Sequence, residues 1–414
     1  MSQERLIVAC DFGTTTFRGL VAEVDEAGGF YIVAHASGPA HGFQDGDFTD
    51  LGTGSRYIAE IIKALEDASR TYITGFTYNI SGSHLHSLRS TAQVPIGPGP
   101  RPIREADLEE VRLRARSLAM PFDQKILSVT PVEYVVDRVR GIVDPLGRVG
   151  SLLEMHAHLI TGSRSVLGNI ENAVDNAGYK PLGDEVDVLA AARALLTKED
   201  LAKGVMLIDI GGHMTNWVVY AGGSIVANGS VPYGGIILTR DLAHGLRLEE
   251  EEAERIKREN GVVLRSLVDH VPVRVLFEED RPEVTPGLVA AILEPRMEEI
   301  LTLVKEDYGD LGQLAKLQSG VVLTGGGSRC RGTRRLCEEV FDLPARECYL
   351  PVDLPGAEDL PAGQWATAIG LTLWAAADAV SGAPQETAAA GGVLGKLKGL
   401  FRSGRRAEAL KAES

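Results

Sequence analysis

A strand that ends in Asp-x-Gly and turns straight back into a second apolar strand occurs twice in this chain, and nothing else in the sequence limits the fold as much. The first unit runs from Leu6 to Cys10, through Asp11-Phe12-Gly13-Thr14-Thr15-Thr16, into Arg18 to Val24. The second, Val205 to Tyr220, reads Val-Met-Leu-Ile-Asp-Ile-Gly-Gly-His-Met-Thr-Asn-Trp-Val-Val-Tyr. An apolar run closed by one carboxylate and followed by glycine predicts a buried β-hairpin with a tight turn. Glycine lets such a turn bring its backbone N–H groups close to an anion. Two of these hairpins, nearly half the chain apart, predict an α/β fold of two similar lobes with a cleft between them. A polyphosphate held by both turns suits that cleft.

The chemistry of the cleft follows from the residue types. Asp11 and Asp209 on facing turns are placed to hold a hydrated Mg²⁺ against nucleotide phosphates, and Asp209 to orient an attacking water. The N–H groups of Gly13, Thr14 and Thr15, and of Gly211, Gly212 and His213, are the expected cradle. His213 reads as a turn residue rather than a base or metal ligand, since no His, Cys or Asp pattern joins it. Val321 to Thr324 followed by Gly325-Gly326-Gly327 is a third strand-to-glycine turn. One such turn is weak evidence for a nucleotide, but three coincidences reinforce one another.

At 414 residues the chain exceeds what one core serves, so two or more domains are expected. Helical spacing marks Ser55 to Arg70, with Ile58, Ile61, Ile62 and Leu65 on one face, and Arg104 to Met120. Residues 82 to 160 read as an inserted α+β subdomain, with strands at Ala92 to Ile96, Lys125 to Asp137 and Ser151 to Thr161. Val166 to Ala177 and the alanine-rich Asp187 to Leu196 follow as helices, the second suited to a hinge. Leu248 to Asn260 is a charged helix that reads, on its residues alone, as a solvated face. Pro286 to Asp307 is a long helix that Pro295 is expected to kink or split. Gln364 to Val380 is a closing alanine-rich helix.

The formal charge of −15 argues against nucleic acid as a partner. The four cysteines lack metal-ligand spacing, and a reducing cytoplasm is the simplest compartment. No signal peptide and no membrane-spanning run are expected. The C-terminal stretch differs from the rest. After an Ala/Gly/Pro-rich linker (381–392), Val393, Leu394, Leu397, Leu400 and Phe401 fall on one helical face. Lys396, Lys398 and Arg402 lie on the others, and Arg405 and Arg406 follow. Such a segment is expected to lie in an anionic membrane surface rather than cross it, weakly as one copy and firmly as many.

The Asp11-Phe12-Gly13-Thr14-Thr15, Asp209-Ile210-Gly211-Gly212 and Gly325-Gly326-Gly327 turns resemble the phosphate 1, phosphate 2 and adenosine motifs of the actin and heat-shock-chaperone ATPase superfamily. Within it, nearly the whole chain resembles the FtsA family of bacterial cell-division proteins. The more specific marks are Thr130-Pro131-Val132-Glu133-Tyr134, Glu254-Arg255-Ile256-Lys257 with Gly261, Ile292-Leu293-Glu294-Pro295-Arg296 and the basic amphipathic tail. The resemblance implies an actin-like two-lobed fold with an inserted subdomain and a C-terminal membrane-targeting helix. Its subdomains would be 1A (1–81, 161–200, 345–380), 1C (82–160), 2A (201–238, 316–344) and 2B (239–315), with the tail at 393–414. It implies binding of ATP and Mg²⁺, with Glu254 and Lys257 beside the adenosine and Gly326 and Gly327 on its other side. It further implies self-assembly into filaments at the cytoplasmic face of the membrane, at the division site. There the chain would tether FtsZ through that protein's C-terminal tail, with Arg296 a candidate contact, and recruit later divisome membrane proteins.

Three departures bear on catalysis. Thr16 stands where many members of that family carry Lys. His213 and Met214 follow only two glycines, and Asn216 stands where an acid is common. ATP binding with slow or undetectable hydrolysis is the expectation. The rival readings are a pilus-assembly adaptor of the PilM type, which lacks the amphipathic tail, and a sugar or acid kinase, which needs a catalytic Asp in a substrate loop.

Overall fold

The structure, a computed structural model, describes residues 5–24, 30–117, 120–268 and 284–381. The duplication expected from the two hairpins is realised strand for strand. One five-stranded sheet runs in the order Lys180–Val186, Gly75–Ile80, Arg5–Phe12, Thr16–Val24, Phe30–Pro39. The other runs Ala345–Glu347, Val321–Thr324, Val205–Ile210, Thr215–Ala221, Ser224–Val231. In both, the strand that ends in Asp pairs antiparallel with its hairpin partner and parallel with its other neighbour. The register is also the same, because Asp11 lies opposite Arg18 and Asp209 opposite Asn216.

The strands follow their residue patterns. Val205–Ile210 is buried at every position but Asp209, as expected of a central strand covered on both faces. On Thr16–Val24, Phe17 enters the core against Phe12, while its neighbours Thr16 and Arg18 stay half-exposed on the opposite face. Helix Leu51–Ser69 begins where the Asp50 carboxylate accepts the Thr53 N–H at 3.0 Å and ends at Arg70 in the left-handed region. Its Ile58, Ile61, Ile62 and Leu65 pack on the first sheet.

Two helices join the lobes. Asp187–Leu195 is buried along its whole length, and Ala362–Ser381 packs against it. They touch at backbone distance, since a Cβ on Gly370 would overlap the carbonyl of Ala190. The small side chains expected at a hinge serve this close crossing. The insertion forms its own four-stranded antiparallel sheet from His86–Pro95, Leu152–Ser163, Gln124–Val136 and Val139–Ile142, with helix Glu105–Arg116 laid across it. Its core of Val94, Val111, Leu153, Met155 and Leu159 is separate from those of the lobes.

Several expectations need correction. Pro295 neither splits nor interrupts its helix, which runs as one element over Pro286–Tyr308. Proline removes the N–H that would reach the carbonyl of Ala291, and Arg265 Nη2 supplies a substitute donor at 3.4 Å. The insertion's helix stops at Arg116 rather than Met120. Among the elements left unassigned by sequence are strand Lys180–Val186 and helices Lys198–Lys203 and Gly235–Leu246. The proposed membrane residues Val393, Leu394, Leu397, Leu400, Phe401, Lys396, Lys398 and Arg402 lie outside the described residues.

Candidate functional site

The three glycine turns open on one cavity of about 770 Å³ between the lobes. Asp11, Gly13, Thr14 and Thr15 line it from the first lobe, and Asp209, Gly211 and Gly212 from the second. Glu254, Lys257, Gly325, Gly326 and Gly327 complete the expected set. Of the expected set, only His213 is absent from the wall.

The two phosphate turns meet closely. A Cβ on Gly212 would overlap Thr15 Cγ2 and lie 3.1 Å from Thr14 Oγ1, so glycine is required there for the lobes to close. The His213 N–H donates to Thr14 Oγ1 at 3.2 Å, and the Gly211 N–H to the carbonyl of Met214 at 2.9 Å. Two of the three second-lobe donors expected to cradle phosphate therefore hold the turns themselves. Burial keeps the His213 imidazole below its usual pKa, hence neutral near pH 7, in keeping with a turn residue.

Three carboxylates gather beneath the turns. Burial lifts Asp11 to about 6 against the pull of Arg18, whose Nη1 lies 3.9 Å from its Oδ2. Asp209 is pushed up to about 7 by burial and by the charge of Asp11. The third, Asp187, was missed in the sequence; burial and then the charge of Asp209 raise it well above the carboxylate range. It opens the hinge helix and accepts the Val188 N–H at 2.6 Å and Asn216 Nδ2 at 2.5 Å. The signal for it was the one used for Asp11 and Asp209, a strand-terminal Asp, but the strand before it went unrecognised. Asn79 was also missed; its Oδ1 accepts the Phe12 N–H at 2.6 Å and steadies the first turn.

On the other side, helix Glu250–Asn260 is more than a solvated face. Lys257 Nζ donates to the carbonyl of Gly235 and to Thr239 Oγ1, both at 2.8 Å, and pairs with Glu254 Oε2 at 2.6 Å. Burial opposes the Glu254 charge, but bonds from Lys257 and Thr239 outweigh it and hold its pKa down. Helix Gly235–Leu246 has no side-chain cap. Its first donors, Gly235 and Ile236, reach the carbonyls of Gly211 and Gly212 at 2.8 Å each, so the second turn is tied to the Lys257 cluster. Gly325 and Gly327 are pressed against Ile210, whereas a side chain on Gly326 would meet open space.

These residues fit a nucleotide with its cation. Carboxylates held near neutrality by burial and mutual repulsion form a site that a divalent cation would complete. Among the described residues no three His, Cys, Asp or Glu side chains are arranged to ligate a metal directly. Arg296 lies elsewhere, on the long helix, paired with Asp241 at 2.5 Å and with Glu299.

Comparison with known proteins gives the same architecture. Residues 82–161 match the SHS2 domain inserted in FtsA, and residues 206–370 match the family model of cell division protein FtsA. The chain is 32% identical to the cell division protein FtsA of Neisseria meningitidis serogroup B, over 96% of this chain and 98% of that one. It is 33% identical to that of Borreliella burgdorferi, over 89% and 90%. Among solved structures, a PilM–PilN type IV pilus biogenesis complex superposes with a TM-score of 0.63 at 17% identity, covering 89% of this chain and 98% of that one. MreB5 of Spiroplasma citri bound to ADP superposes with a TM-score of 0.51 at 13% identity, covering 89% and 96%. With its doubled sheets, its inserted subdomain and relatives matched over most of their length, the chain belongs to the cell division protein FtsA family and has the actin-like fold.

Proposed function

We propose that this chain is an ATP-binding, filament-forming division protein that holds FtsZ filaments to the cytoplasmic face of the membrane and recruits later division proteins. The observation that carries the nucleotide part is the meeting of Gly212 with Thr14 and Thr15 above Asp11, Asp187 and Asp209. The two turns meet there beside three buried carboxylates whose charge a cation would offset. Asp11 and Asp209 would hold Mg²⁺ through water, and the cation would neutralise phosphate charge. The Lys257–Glu254–Thr239 cluster and the open side of Gly326 flank the space for the nucleoside.

Asn216, at a position where an acid is common in the family, is an amide here and donates to Asp187 at 2.5 Å, so it brings no base to the site. This supports binding with slow hydrolysis. The membrane and FtsZ parts rest on family membership and on the amphipathic pattern of residues 393–414, with Arg296 a candidate FtsZ contact. Sedimentation with anionic vesicles tests them. The full chain with Mg·ATP should pellet with vesicles and carry FtsZ down, and a chain ending at residue 392 should do neither. Equal pelleting of both chains would overturn the reading.

A further inference from the structure

We propose that the insertion is a clasp on the cleft. Carried by the first lobe, it closes on the edge strand of the second through His158 and Asn228, and a bound nucleotide leaves only when that contact parts. The inference rests on the nucleotide reading above and adds what restrains the lobes.

The contact is built on one face of the insertion's sheet. Val129, Ala157 and Leu159 point the other way, into the insertion's own core. On the face in question the register sets His158 between Arg89 and Thr130, and Ile160 between Ser87 and Ser128. That face is mostly polar, yet His158 is only 1% exposed and Thr130 is buried as well. The cover is strand Ser224–Val231 of the second lobe, which lies against the insertion's strands. Ile160 shares an apolar cluster with Ile225 of that strand. Asn228 and Ile225 stand opposite Val218 and Tyr220, both members of the same cluster, so Asn228 presents to the same side. At the rim, the Arg89 charge reaches Tyr308 at the end of the second lobe's long helix: burial and Asp310 raise that phenol's pKa, and Arg89 opposes them.

Two side chains in this seam have unfilled hydrogen-bonding capacity. His158 Nε2 meets Ser87 Oγ at 2.7 Å, while its Nδ1 is buried without a partner. Asn228 is 8% exposed, and its Oδ1 is likewise buried and unpartnered. With the Ser87 hydroxyl donating to Nε2, the neutral imidazole carries its proton on Nδ1, a donor that Asn228 Oδ1 complements. Buried polar groups left half-satisfied cost free energy, so this seam is weaker than a core and can part. Polar contacts of this kind are those of domains that move against each other.

Connectivity makes the seam a restraint. The chain enters the insertion from strand Gly75–Ile80 and leaves it into helix Arg164–Asn176, both packed in the first lobe. The second lobe is joined to the first through helices Asp187–Leu195 and Ala362–Ser381, and rotation about them shifts Ser224–Val231 against His158. Opening the cavity and undoing the seam are then one movement.

Release of a fluorescent ATP analogue from the full chain, chased with unlabelled ATP in Mg²⁺, tests the clasp. Asn228→Arg sets a fixed charge against His158 and Arg89 and should speed release roughly three- to ten-fold, as when a hydrogen-bonded contact is lost. Gly168→Ala, in open space on a first-lobe helix, should leave the rate unchanged. Hydrogen exchange on the unsubstituted chain carries the test alone if the Arg variant does not fold. Amides of Ser224–Val231 and Gln124–Val136 should exchange more slowly with Mg·ATP bound than without nucleotide. Unchanged release from a folded Asn228→Arg variant, or exchange in those strands indifferent to nucleotide, overturns the clasp and leaves the nucleotide reading intact. Failure of the unsubstituted chain to bind ATP overturns both.

Discussion

The His213 N–H and the Thr14 hydroxyl oxygen, 199 residues apart in sequence, share a hydrogen bond of 3.2 Å across the cleft. It is a direct polar link between the two phosphate turns, and it joins the lobes at the point where the nucleotide is proposed to lie.

Thr14→Val removes this acceptor without changing the side chain's shape. A neutral bond of this kind is worth about 0.5–1.5 kcal/mol, so denaturant unfolding without nucleotide should show a loss of that size, and Thr14→Ser should show little. An unchanged midpoint for Thr14→Val would mean that the turns are held by packing alone.

Asp209→Asn should make ATP binding indifferent to Mg²⁺. The amide relieves repulsion with Asp11 and Asp187, so affinity in a chelator should be unchanged or better, while the gain on adding Mg²⁺ should fall at least about ten-fold, as when a charge-assisted contact is lost. Calorimetric titration with and without the cation reads this directly. A full Mg²⁺ response in the variant would remove Asp209 from the cation's shell.

Gly370→Val should destabilise the chain by about 1–3 kcal/mol or more, because the new side chain would press on the Ala190 carbonyl where the joining helices cross. Calorimetric melting is the measurement, and Gly168→Ala, a helix position with open space around it, is the control.

Acid should weaken the fold through His158 in the insertion. Burial, with a smaller contribution from Arg89, takes its pKa from 6.5 to about 4, and Ser87 Oγ meets its Nε2 at 2.7 Å. Between those values the unfolded chain binds more protons than the folded one, so stability falls as pH drops from 6.5 towards 4, by about 3 kcal/mol at most. Asp11 and Asp209, raised to about 6 and 7, oppose this by holding protons in the folded state that the unfolded chain releases. The difference between the unsubstituted chain and His158→Gln isolates the histidine. The variant's melting temperature should drop less between about pH 7 and about pH 5, and equal drops would refute the assignment.

The hairpins and glycine turns were legible in the sequence because each is local: an apolar run, a carboxylate, a glycine. What escaped was held by distant partners. Strand Lys180–Val186 is an edge strand containing Pro181 and Gly183, largely exposed and without alternation, and it exists by pairing with Gly75–Ile80. Helix Gly235–Leu246 starts at glycine instead of a capping side chain because the carbonyls of Gly211 and Gly212 serve its first turn. Asp187 and Arg18 join the site only through the sheet order and the hairpin register, which a linear reading does not resolve. That Pro295 does not split its helix was not legible, because the donor that compensates for it, Arg265, comes from another segment.

The helix Ala362–Ser381 spans the distance between two parts of the molecule otherwise remote from each other. At one end the carbonyl of Gly363 accepts the Gly325 N–H at 2.9 Å, and Gln364, Ala366 and Thr367 form part of the chamber wall. Its 20 residues extend for about 30 Å, and from Ser381 the chain passes into its C-terminal stretch. Gripped where Gly370 meets Ala190, this one helix fixes how far the chamber wall stands from Ser381.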